Sequence, residues 1–105
     1  MIASAFGAVA EHFNHIALRD IVSPPAKGFY DAYLARQVAW SILVHEFHIP
    51  KKRLVKVQLH SLDTLQRSLR IVEERCSCPV FRRAYDKMAA RAQELLQVEF
   101  EKAAA

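Results

Sequence analysis

From Pro50 to Arg75 the sequence spells two short helices with a hard break between them, which commits the middle of the chain to helical structure. Pro50 suits a helix start, because the N–H it lacks would go unpaired there anyway. Lys51, Lys52, Arg53 and Lys56 follow it. Leu59-His60-Ser61 interrupts the period, and Ser61 is a good N-cap for the helix that follows. Leu62, Leu65, Leu69 and Val72 recur on one side at helical spacing, predicting a second helix over 62–75. The same period turns Asp63, Arg67, Arg70 and Glu74 the other way.

The rest of the chain agrees. Its 105 residues suit one domain. Apolar residues make up 52%, enough for a core, while glycines are few and alternating β-branched runs are missing. Residues 2–14 read as a helix with Ile2, Phe6, Val9, Ala10 and Phe13 on one side. Ala17 to Val22 fits a short helix or turn, stopped by Ser23-Pro24-Pro25. A helix from Asp31 to about Phe47 is apolar nearly all round, so it is expected at the centre. Pro79 opens a last helix after Cys76-Ser77-Cys78. That helix is expected to turn Phe81, Tyr85, Met88, Ala92 and Leu95 inward and to end near Phe100, with 103–105 frayed. The expected fold class is all-α, a compact bundle of about five or six helices containing a helix-turn-helix.

Charge is unevenly spread. Residues 1–48 carry three basic and four acidic side chains, net −1; residues 49–91 carry eleven and four, net +7; residues 92–105 carry one and three, net −2. A basic stretch of this kind attracts a polyanion. No apolar run reaches about 18 residues, so no membrane span is expected, and the N-terminus lacks a signal-peptide pattern. Two close cysteines do not make a secreted disulfide framework, and a cytoplasmic protein is expected.

Catalytic and metal chemistry are not expected. His45-Glu46-x-His48 spaces its histidines three apart, unlike the one-turn spacing of H-E-x-x-H, and Pro50 ends the helix. Cys76-x-Cys78 offers two thiolates with no second pair to complete a tetrahedron. No serine or cysteine nucleophile has a base and an orienting group nearby, so neither an enzyme nor a cofactor is expected.

A helix-turn-helix reads DNA with one helix near the backbone and a second offering polar side chains to base edges. Arg67 and Arg70 suit base edges or phosphate; the competing reading pairs them with Asp63 and Glu74 as i,i+4 ion pairs on a wet face. Asp63 would repel phosphate but could accept from a cytosine amine. Lys51, Lys52, Arg53 and Lys56 suit phosphates, which set orientation without reading sequence; the alternative is a solubilising surface. Ser61 and Thr64 could touch phosphate or base, although a cap is the favoured role for Ser61. Arg82, Arg83, Lys87 and Arg91 make a second basic face, suited either to DNA or to an acidic protein.

Several segments match a known pattern. Val9-Ala10-Glu11-His12-Phe13-Asn14 with Leu18-Arg19-Asp20-Ile21-Val22-Ser23, Ala35-Arg36-Gln37-Val38-Ala39-Trp40, Leu65 through Glu74, and Glu74-Arg75 through Pro79-Val80-Phe81 follow one another in its order. Over nearly its whole length the chain resembles domain IV, the DNA-binding domain of the bacterial replication initiator DnaA, as a stand-alone protein. It is similar as well to the DnaA-like part of gene transfer agent activators. The departures are specific. Where the family carries G-R-D-H-T-T, this chain has Leu59-His60-Ser61-Leu62-Asp63-Thr64, and only Thr64 matches. One extra residue lies between Pro50 and the second helix. The family's basic minor-groove loop is thinned to Lys27, and no nucleotide-binding G-x-x-x-x-G-K-[ST] loop occurs.

The resemblance implies a nucleoid-associated regulator of transcription, an activator among the options, at sites other than standard DnaA boxes. Its partner is double-stranded DNA, through Lys27, Lys51, Lys52, Arg53, Lys56, His60, Ser61, Asp63, Thr64, Arg67 and Arg70. The alternative is an interaction module on the same scaffold that recruits RNA polymerase or another DNA-bound regulator, such as a DNA-bending protein, with weak or no specific DNA binding of its own. The oligomeric state is left open, with the monomer favoured.

Overall fold

Two residues that the sequence marks as helix starts, Ser61 and Pro79, stand at helix starts in the computed structural model, which describes residues 1–24 and 30–104. The order is α1 (Ile2–His12), α2 (Leu18–Val22), α3 (Tyr30–Ser41), α4 (Lys51–Gln58), α5 (Leu62–Arg75) and α6 (Pro79–Ala104). Among the described residues there is no strand, and no helix is long and apolar enough to cross a membrane. The chain is an all-α bundle.

α3 is the central rod and packs against α1, α2 and α5. Its Ala32, Ala35, Val38, Ala39 and Trp40 are buried, the small residues letting neighbouring helices approach closely. The helical run continues past Ser41, but as a π turn over Ile42–Glu46. This corrects the expectation of one α-helix to Phe47. The wider turn closes with Phe47 N–H donating to the Ile42 carbonyl, and Ile42 and Leu43 are both fully buried there. His48 then takes a left-handed conformation (φ 58°), which histidine tolerates better than most residues, and the chain turns away.

α1 and α6 form the most extensive helix pair and run antiparallel. Ser4 Oγ donates to Glu99 Oε1 at 2.8 Å at one end, and Arg91 grips Glu11 at the other, Nε to Oε2 at 2.8 Å and Nη2 to Oε1 at 3.1 Å. α1 ends at His12, two residues short of the expected Asn14, and α6 runs to Ala104 rather than Phe100.

The break between α4 and α5 follows from local chemistry. Pro50 is the N-cap of α4, with its carbonyl accepting from Arg53 and Leu54 N–H. At the other end Leu59 turns left-handed (φ 56°, ψ 45°), and the N–H groups of Leu59 and His60 both return to the Val55 carbonyl. This is the helix-terminating turn that glycine normally occupies. Ser61 then caps α5, its hydroxyl accepting from Thr64 N–H at 3.1 Å. Leu65, Ser68, Leu69 and Val72 face the core, and Ser68 Oγ satisfies itself on the Thr64 carbonyl.

Leu59 is 89% exposed, so its side chain gives nothing to packing while its backbone sits where an L-residue is strained. The left-handed conformation costs about 1–2 kcal/mol, and glycine's extra unfolded-state freedom offsets about 0.5–1 of that. Leu59→Gly is therefore expected to raise stability by roughly 0.5–1 kcal/mol, read as an upward shift in the urea midpoint with an unchanged slope.

Candidate functional site

The exposed faces of α4 and α5 carry the candidate site, and a small cluster behind them sets their angle. Lys52 and Lys56 lie one turn apart on the outer side of α4, with Lys51 exposed in its first turn. Arg53 is exposed beside Lys56, three residues away on the helix, and also forms part of the wall of a cleft between α4 and the start of α1. On α5 the ridge Asp63, Arg67, Arg70, Glu74 is exposed from end to end, as its period requires. Thr64 is half-buried and shares a 2.8 Å hydroxyl contact with Ser61. Ser61 does act as a cap. Lys27 lies outside the described residues.

The competing ion pairs do not form. Among the described residues no carboxylate comes within 4.0 Å of Lys51, Lys52, Arg53, Lys56, Arg67 or Arg70. The basic face of α6 is different. Arg82 pairs with Asp86 at 3.2 Å, and Arg91 is held between Glu11 and Glu94, which keeps its guanidinium above even the ordinary arginine range. Arg91 is thus a clamp between α6 and α1, and Arg83 and Lys87 alone of that quartet have no carboxylate partner among the described residues.

His60 occupies the break and looks inward. Arg36 Nη1 lies 3.2 Å from His60 Nε2. A guanidinium only donates, so Nε2 must be the unprotonated acceptor and the proton sits on Nδ1. Arg36 is 8% exposed, 4.5 Å from the Trp40 ring centre and 5.5 Å from that of Tyr33. The Trp40 ring meets His60 edge to face at 5.0 Å, and its indole N–H donates to Gln58 Oε1 at 3.3 Å. α3 therefore holds both ends of the break, Gln58 and His60, with one arginine and one tryptophan. His60 is committed through Nε2, so only Nδ1–H remains to reach outward.

The sequence alone does not mark this cluster: Arg36 and Trp40 both fall in the segment 35–40, inside a helix that is apolar nearly all round. An Arg and a Trp one helical turn apart is the local signal that could have pointed to it.

Burial, and then the Arg36 charge beside it, hold His60 below the ordinary imidazole range. A protonated ring would lose its bond from Arg36 and face a like charge. Because the folded state holds His60 less basic than the unfolded chain does, its contribution is complete above about pH 6.5 and is lost as pH falls through the lowered native value. The thermal midpoint is expected to fall as pH drops below about 6.5, and His60→Gln to flatten that slope. Trp40, the only tryptophan, reports the titration directly by fluorescence.

Among the described residues no three His, Cys, Asp or Glu side chains gather as a metal site would require. Cys78 is exposed at the start of α6, where the Phe81 and Val80 N–H groups hold its thiol below the usual range; Cys76 is half-buried. No protein-family model, curated protein or solved structure matches the chain. The site's own geometry carries the functional reading.

Proposed function

We propose that this protein binds double-stranded DNA with α4 and α5 as a helix-turn-helix, on a scaffold similar to domain IV of DnaA, and regulates transcription. α5 enters the major groove, where Arg67 and Arg70 meet base edges and Asp63 accepts from a cytosine amine. Lys51, Lys52, Arg53 and Lys56 lie along the phosphates and set the docking angle. The altered turn, Leu59 to Thr64, directs the protein to sites other than DnaA boxes.

One observation carries this reading: among the described residues, every cation at positions 51–70 lacks a carboxylate partner, whereas Arg82 and Arg91 on α6 are paired. Unpaired exposed cations on one helix pair repel each other in the free protein and gain a partner only when a polyanion arrives. His60, Arg36 and Trp40 support the reading in a different way, by fixing the α4–α5 angle from behind.

The test is salt-dependent binding of a labelled duplex. With about four phosphates engaged, affinity should fall roughly a hundredfold between 50 and 200 mM salt. Absence of binding at low salt, or binding that ignores salt, would sink the proposal.

A further inference from the structure

Among the described residues only two other than glycine hold a positive φ, and they bracket one helix. His48 (φ 58°) stands just before the Pro50 cap of α4, and Leu59 (φ 56°) directly follows its last residue. A left-handed L-residue is strained, because its Cβ crowds the following carbonyl oxygen. Both strains disappear if the helix between them comes away.

α4 is also lightly held. Of its eight residues only Leu54 is buried, while Val55 and Gln58 are half-buried and Val57 is 55% exposed. The bond from Trp40 to Gln58 is the one side-chain hydrogen bond that reaches α4 from another helix among the described residues. Toward the start of α1, a cleft of about 560 Å³ lined by Ile2, Ile49, Leu54 and Val57 leaves α4 without support on that side. The flanks are anchored differently. Ile42 and Leu43 are fully buried before it; after it, Arg36 holds His60, and Leu65, Leu69 and Val72 seat α5 on the core.

We infer that segment 48–59 is a hinged unit that opens from the bundle on its own, while α3, α5 and the α1–α6 pair stay folded. Opening gives up the burial of Leu54, the bond to Gln58 and the bond from Ile49 N–H to the Leu43 carbonyl, and it relieves the two left-handed residues. Contiguous segments with few buried apolar contacts open in this way below the global unfolding free energy. One consequence rests on the DNA reading: Lys51, Lys52, Arg53 and Lys56 ride on the movable part and α5 on the fixed part, so a duplex that engages both draws α4 shut.

Amide hydrogen exchange of the full chain without DNA, read residue by residue over low urea concentrations, tests the hinge. The amides of residues 55–58 should exchange at least about tenfold faster than those of the buried faces of α3 and α5. Their rates should barely respond to urea, since a local opening exposes little surface. Leu54→Ala should speed α4 exchange by at least about thirtyfold. Leu59→Gly, at an exposed position, should slow it about two- to fivefold by removing strain from the closed form. α4 amides that share the rate and urea slope of α3, or that ignore Leu59→Gly, overturn the inference. No DNA is present in these readings, so the hinge and the DNA reading fail separately.

Discussion

Trp40→Ala is expected to lower the unfolding free energy by about 3–5 kcal/mol, the largest single loss available in this chain. The side chain is 1% exposed at the centre of the bundle. Removing it leaves a cavity, and close-packed helices refill such a space only in part. It removes three further supports at once: the ring under Arg36, the edge contact with His60 and the donor for Gln58. Arg36 would then be a buried cation with its face uncovered and its Nε still unpartnered. A domain of this size holds only about 5–15 kcal/mol in total. The thermal midpoint should drop by roughly 15–30 °C. Trp40→Phe keeps most of the volume and loses the indole N–H, so it should fall well short of the alanine change. The comparison separates packing from the hydrogen bond, and equal losses from the two variants would contradict this account of the cluster.

Lys52→Ala combined with Lys56→Ala should weaken binding to every duplex alike, by about fifty-fold near 0.1 M salt, and flatten the salt slope by about two. Both side chains are exposed, so the fold should be untouched. Arg67→Ala should do something different. It should relax preference at one base pair by about 1–3 kcal/mol and change the salt slope little. Competition titrations with a selected site and a scrambled duplex distinguish the two patterns. If Arg67→Ala and the lysine pair gave the same profile, α5 would not be reading bases.

The fold was legible where one residue decides one local event. Ser61 and Pro79 set helix starts through a hydroxyl cap and a locked φ, and neither needs anything distant. The period of Leu65, Leu69 and Val72 fixed the buried side of α5 for the same reason, and with it the exposed ridge. The π turn was not legible, because Ile42-Leu43-Val44 is as apolar as any buried α-helix and carries no mark of the wider turn. Nor was the role of Arg91, whose partner Glu11 is 80 residues away. Arg36 was hidden most completely. A charged residue is expected at the surface, and its burial depends on His60, 24 residues further on, supplying an acceptor. The basic surface could be counted in the sequence. Which of its members are already paired could not, since pairing is decided by packing between helices.

Amide shifts of ¹⁵N-labelled protein titrated with a short duplex at low salt test the central claim most directly. The changes should centre on Lys51, Lys52, Lys56, Ser61, Thr64, Arg67 and Arg70, and reverse on adding salt. Changes confined to α1 and α6, or none at all, would contradict DNA docking through α4 and α5.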